Sequence, residues 1–296
     1  MGTLESLSIT LSWCGLIATG VSAALYPLAA FGRRVVVRQA ATNVGTVTVT
    51  EKQPLPPIVG RLATWAAWVA LAFMIVYMGV RTAATGHPPY SDMFEYLNAF
   101  GALTIAMYVL FERKYRQRVL GAVAMPAALV ILILAHALFS PKVEALVPAL
   151  QANRLLALHV ACMVISYGAL TVAGAATILY LVQTDRNRFE RLPSARALET
   201  LTYRAVLVGF PLLGLGIALG AYWANRAWGR YWGWDPKETT ALVTWLVFAG
   251  YLHARSLAGW RGMRAAAIVL LGFALIFFNI FVVNFWIAGL HSYMGS

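Results

Sequence analysis

Charged residues are scarce in this chain, and acidic ones are scarcer still. Asp, Glu, Lys and Arg make up 11% of the 296 residues, 11 of them acidic and 23 basic. Water-soluble domains carry about 25% charged residues, so an ordinary soluble fold is excluded. Cysteine is limited to Cys14 and Cys162. Both lie inside apolar runs and form no CxxC pair, so they read as small packing residues, and thiol chemistry belongs to a partner. HExxH, Cys/His zinc spacing, GxSxG and a phosphate loop are all missing, which removes the usual hydrolase and nucleotide-binding classes. The run GLGIALG has GxG spacing only within an oily stretch, where small residues favour close helix packing.

What the chain has instead is hydrophobic sequence, at 60%. Windows of about twenty uncharged residues are long enough to cross a hydrocarbon core of about 30 Å as helices rising 1.5 Å per residue. Eight such spans are expected, near 7–31, 58–80, 95–111, 119–139, 155–182, 202–222, 238–254 and 265–288. The third and seventh are short. The fold class is therefore all-α, a polytopic helical bundle integral to the lipid bilayer, because only helices or closed barrels satisfy their backbone there. The leading MGTLESL has no Lys or Arg and its apolar core is long for a signal peptide, so the first span is expected to be retained.

A net charge of +12 would suggest nucleic acid in a soluble protein. Here the placement of the cations matters more. With eight spans, 17 of the 23 Lys and Arg fall in alternate connections, among them Arg33, Arg34, Arg113, Lys114, Arg186, Arg188 and Arg261. The positive-inside rule makes that side cytoplasmic, places both termini outside the cytoplasm and turns the segment between spans six and seven outward. No nucleic-acid partner is implied. The inner stretch 38–57 is expected to form a small hairpin or to stay flexible.

That outward segment, WGRYWGWDPKETTALVTW from Trp228 to Trp245, places large indoles beside glycines and charges. Asp235, Pro236 and Glu238 have the pattern of an N-cap, an N1 proline and an N3 capping-box partner, which accounts for the start of span seven. Trp228, Trp232 and Trp234 are left unexplained by that motif. Gly229 and Gly233 would allow tight turns and close approach of a flat ligand. Arg226, Arg230 and Lys237 suit carboxylates such as haem propionates. His159 and His291 share the outer level with this segment. An exposed haem site with two axial imidazoles fits the pattern, and so does an interfacial aromatic belt with histidines at headgroup level. His253 lies ~24 Å along span seven, too deep to share their ligand shell. It reads either as an inner haem ligand or as a histidine snorkelling beside Arg255. His87 and His136 rank lower, as a turn residue and a packed helix-end residue.

WGRYWGWDPKET resembles the WWD signature of the haem-handling proteins of cytochrome c biogenesis. With GHPPYSDMFEYL, LVPALQANRLLALHVACMVISYGAL, WLVFAGYLHAR and IAGLHSYM, the chain is similar to the CcsA (ResC) family of the pathway called System II over most of residues 80–296. The resemblance implies that His159 and His291 ligate the iron of haem b (iron protoporphyrin IX) at the outer surface, with Trp228, Trp232, Trp234, Asp235, Arg226 and Arg230 around it. It implies that His253 binds an inner haem whose opposite ligand comes from a CcsB (ResB) partner. The organisation implied is an N-terminal pair of spans, 1–80, and a haem-handling part, 81–296, with the WWD segment at 228–238. The function implied is that of a membrane subunit of a holocytochrome c synthase. It would move haem outward and present it for thioether attachment to the CxxCH of apocytochrome c, with thiol-reducing proteins as further partners, in the bacterial cytoplasmic membrane with the haem-presenting face outside. The alternative is an exporter or chaperone that delivers haem to a separate ligating protein. A shorter six-span haem chaperone is disfavoured by the extra N-terminal spans and His253, and a permanent quinol-type cytochrome by the lack of a mate for His253.

Overall fold

The structure is a computed structural model that describes residues 2–42, 45–143, 150, 154–183, 189 and 192–290. Eight principal helices form the bundle: α1 (Thr3–Phe31), α2 (Pro57–Thr85), α3 (Met93–Tyr115), α4 (Gly121–Leu138), α5 (Arg154–Gln183), α6 (Ala195–Trp228), α7 (Pro236–Ser256) and α8 (Met263–Phe277). Each expected span falls on one of them. Seven are long and apolar enough to cross a membrane, α8 when taken with its continuation to Trp286, and α7, which opens in PKETT and ends through His253 and Arg255, falls short of that apolarity. The chain is an integral membrane protein.

Helix α3 is the most deeply buried span and packs among α2, α4 and α5. The pair α5 and α6 packs closely because glycines of α6 meet side chains of α5. A Cβ at Gly209 would lie 2.6 Å from Leu170 Cγ, and one at Gly216 would lie 2.6 Å from Met163 Sδ. The GLGIALG run is thus a packing stripe.

The helix ends sort by charge. At one end Glu112, buried, accepts hydrogen bonds from the hydroxyls of Tyr26, Tyr108 (2.5 Å) and Thr64 (2.6 Å). Loss of that carboxylate would strand donors at about 1–3 kcal/mol each. The same end holds Arg204 over the Tyr115 ring (4.9 Å), Arg255 over Tyr203 (5.0 Å) and the Glu199 carboxylate accepting from the Gly262 amide. The cation-rich connections therefore share one end, as their alternation required; Arg186, Arg188 and Arg191 lie outside the described residues. There too stands a hairpin longer than the sequence suggested: β1 (Arg33–Thr42) pairs antiparallel with β2 (Gly45–Pro54), from Arg33 opposite Pro54 to Thr42 opposite Gly45.

At the opposite end buried Arg81 donates to Glu95 at 2.7 Å and to the Pro141 carbonyl at 2.8 Å, tying the end of α2 to the start of α3 and to the segment after α4. Helix α8 does not run regularly to its end. It passes into a π-helical stretch (Phe278–Val283) and a last short turn, α9 (Asn284–Trp286). The wider turn brings Asn279 and Asn284 both inward, where they are buried.

Candidate haem-handling site

A cavity of about 990 Å³, counted with its open mouth, lies at the end away from the cation-rich connections. Its walls come from the α2–α3 loop and α3 (Tyr90, Met93), α5 (His159, Met163), α6 (Gly220, Trp223), the tryptophan segment (Trp232), α7 (Lys237, Glu238) and the π turn (Asn279).

His159 is fixed by α6. Its Nδ1 lies 2.7 Å from the Gly216 carbonyl, and a carbonyl can only accept, so Nδ1 carries a proton and the neutral ring has its lone pair on Nε2. A backbone acceptor behind one ring nitrogen is how a metal-ligating imidazole is oriented. Gly220 makes room for the ring, since a Cβ there would lie 2.6 Å from His159 Cε1. Trp223, which the sequence reading did not single out, stands parallel to the imidazole at 6.4 Å and 7°. It follows Gly216 and Gly220 at helical spacing on one face of α6, and that periodicity is the signal that would have found it.

The tryptophan segment is shaped by its polar residues. Asp235 caps α7, its Oδ2 accepting from the Lys237 amide at 3.0 Å, and Glu238 Oε2 reaches back to the amides of Asp235 (3.2 Å) and Gly233 (2.9 Å), the expected capping box. Gly229 ends α6 at φ 73°, the left-handed C-cap that glycine favours. The second left-handed residue is Trp234, at φ 55°, and not Gly233. At Gly233 the Arg230 guanidinium lies over the backbone, where a Cβ would stand 2.8 Å from Nε. The backbone reversal turns Trp234 outward, 71% exposed, edge-on to Trp232 at 5.8 Å. Trp232 faces the cavity, whereas Trp228 packs behind the wall against Trp223 at 4.8 Å.

Among the cations of this face, Lys237 lines the cavity and its Nζ donates to Asn284 Oδ1 at 2.7 Å. Arg226 lies over the Tyr222 ring, and Arg226 and Arg230 are exposed outside the cavity lining. His291 lies outside the described residues. Its neighbour Leu290 does not: the Leu290 amide donates to Asp235 Oδ1 at 2.6 Å, which pins the chain before His291 to the tryptophan segment.

The other histidines are placed elsewhere. His136 has Nε2 3.1 Å from Ser12 Oγ and Nδ1 2.8 Å from the Leu132 carbonyl, with Trp13 and Phe94 edge-on, so both nitrogens are engaged in packing α1 against α4. His87 is buried in its turn with Nδ1 2.9 Å from the Pro88 carbonyl. His253 is exposed near the far end of α7, outside the cavity lining, in a stripe with exposed Val243, Leu246, Gly250 and Leu257.

The loop that carries Tyr90 is held by Asp92, which caps α3 by accepting from the Glu95 amide at 2.8 Å. Burial and the Glu95 carboxylate push Asp92 up to about 6, against the pull of that amide and of Arg81.

The fold and the site define a polytopic helical membrane protein with an aromatic, imidazole-bearing cavity at one end of its bundle. The comparisons specify it further. A family model described as "Cytochrome C assembly protein" matches residues 90–291. The cytochrome c biogenesis protein CcsA of Gloeobacter violaceus is 32% identical, with 98% of this chain and 97% of that one covered. The CcsA of Synechococcus elongatus is 36% identical over 80% of this chain and 89% of that one. A solved structure titled cytochrome c haem lyase CcmF superposes with a TM-score of 0.69 at 18% identity, covering 95% of this chain and 47% of that one, so this chain spans about half of it and shares its fold. The chain belongs to the cytochrome c assembly family, among the CcsA proteins, and is a membrane protein of cytochrome c biogenesis.

Proposed function

We propose that the cavity holds haem b at the extracytoplasmic face and presents it for attachment to apocytochrome c, in a holocytochrome c synthase formed with a CcsB-like membrane partner. The observation that carries this reading is the meeting of His159 and Trp232 in one cavity, whose rim is bonded through Asp235 to the residue preceding His291. The residues fit the group: an oriented Nε2, apolar walls from Trp223, Met93 and Met163, and a lysine at the edge whose acceptor in the protein is a neutral amide.

In this reading His159 and His291 bind the iron and Trp232 lies against the macrocycle. Lys237 pairs with a propionate, with Arg226 and Arg230 at the outer rim and Trp228 and Trp234 bracing the segment. The bound haem supplies two vinyl groups, to which the thiols of a CxxCH segment add. The protein contributes orientation, a term that reaches about 7–11 kcal/mol in well-placed reactions. His253, exposed in an apolar stripe, binds a second haem on the inner side with an opposite ligand from the partner. The cation-rich end then faces the cytoplasm of a bacterial cell, both termini lie outside, residues 81–296 handle haem and 1–80 form a supporting pair of spans. Thiol-reducing proteins keep the CxxCH cysteines free. The test is haem content and absorption spectra of the purified chain and its His159→Ala variant. Loss of haem from the variant is expected; equal haem and an unchanged spectrum would overturn the assignment.

A further inference from the structure

A second hollow, an open groove of about 710 Å³ counted with its mouth and unrelated to the first, lies on the side of the bundle at the cation-rich end. It is lined by Arg61, Thr64, Trp65, Trp68 and Arg118. Arg61, Trp65 and Trp68 follow one another on a single face of α2 at i, i+4 and i+7. The tryptophans therefore lie ~6 and ~10 Å farther into the membrane than Arg61. Both are open to the surroundings, Trp65 69% exposed and Trp68 37%.

The opposite wall is Arg118, at the turn before α4, with its side chain 50% exposed and its Nε 3.5 Å from Glu112 Oε1. Its Cδ lies over Gly60, where a Cβ would stand at an ordinary contact distance of 3.6 Å. Glu112 itself is buried and already accepts from Tyr26, Tyr108 and Thr64. Arg61 is exposed and makes no ion pair among the described residues. The groove thus carries two guanidinium groups against one shared and sheltered carboxylate, a net positive rim over an aromatic floor.

We infer that this groove binds an anionic phospholipid, its headgroup phosphate between Arg61 and Arg118 and its glycerol and upper acyl chain along Trp65 and Trp68. The order along α2, charge at the rim and indoles one and two turns deeper, follows the order of such a lipid from phosphate to acyl chain. Guanidinium forks match phosphate oxygens, indoles favour the interfacial zone, and basic pockets between helices on this kind of face bind acidic headgroups. No residue of the outer cavity takes part, so the inference stands apart from what that cavity binds.

The test is native mass spectrometry of the full chain in detergent, titrated with phosphatidylglycerol or phosphatidylcholine, beside Arg61→Gln, the Arg61→Gln/Arg118→Gln double variant and Arg113→Gln as a charge control outside the groove. Size-exclusion profile and helicity report folding. Retention of phosphatidylglycerol over phosphatidylcholine is expected in the wild type and the control, weakened about five-fold for each groove arginine removed. Inorganic phosphate should not displace the lipid. Equal retention of the two lipids, or unchanged preference in a folded double variant, would overturn it. So would one-for-one displacement by ferric haem lost with the same arginines, which would make the occupant a porphyrin.

Discussion

Asp235 holds two chain segments at once: Oδ1 accepts from the Leu290 amide at 2.6 Å while Oδ2 accepts from the Lys237 amide at 3.0 Å. One carboxylate thereby joins the start of α7 to the chain that leads into His291. Asp235→Ala should cost about 1 kcal/mol for the lost cap and speed hydrogen exchange at Leu290. Asp235→Asn, with a single carbonyl oxygen, should keep one bond and lose the other. Unchanged protection of Leu290 in Asp235→Ala would show that the tail is held by something else.

Gly220 gives a steric handle on His159 without touching the imidazole's chemistry. A Cβ there would lie 2.6 Å from Cε1 and 2.8 Å from Nδ1, so Gly220→Ala must move the ring off the Gly216 carbonyl. Haem retention should drop while helicity is maintained. Gly79→Ala, where a Cβ meets nothing within 4 Å, should leave haem unaltered and stabilise α2 by up to about 1 kcal/mol. Haem content per chain distinguishes the two.

His136 tests the opposite case. Removing the ring leaves Ser12 Oγ with only the Ile9 carbonyl, strands the Leu132 contact and opens the space between Trp13 and Phe94. His136→Ala should lower stability by about 1–3 kcal/mol and leave the haem spectrum as it was. A spectral change would assign His136 a role at the iron.

Asp92 gives stability a pH dependence. Its folded pKa is pushed up to about 6 from the usual 3.8, chiefly by burial and then by Glu95. Between those values the folded state holds more protons than the unfolded one, so this residue's contribution falls as pH rises from about 4 to about 6 and is level above. Asp92→Asn keeps an oxygen for the Glu95 amide and removes the charge. It should raise the melting temperature in detergent at pH 7.5 and flatten the slope between pH 4 and 6. A steeper slope would contradict the assignment.

Much of the bundle was legible because lipid imposes simple rules: uncharged runs became α1 to α8, and the alternation of cations became a division between two ends. The capping box at Asp235 was readable for the same reason, a local motif with a local structure. Contacts between distant segments were not. Nothing adjacent to Asp235 announces that it also bonds Leu290, 55 positions away. Trp223 escaped notice because it stands outside the tryptophan segment, although the face shared with Gly216 and Gly220 led to it. Tight turning was expected at Gly229 and Gly233; φ is positive at Gly229 and at Trp234, where the capping contacts of Glu238 to both flanking amides constrain the backbone between them. Lys237, one of three cations on that face, is the one that lines the cavity because the capped helix start turns it inward to Asn284.

The most direct test of the central claim is the absorption spectrum of the haem-loaded chain in the wild type and in His159→Ala, His291→Ala and His159→Ala/His291→Ala, with imidazole added back. The account predicts that either single change disrupts the outer haem, that imidazole restores it, and that the double variant is no worse than additive. Retention of a wild-type spectrum in both single variants would contradict it.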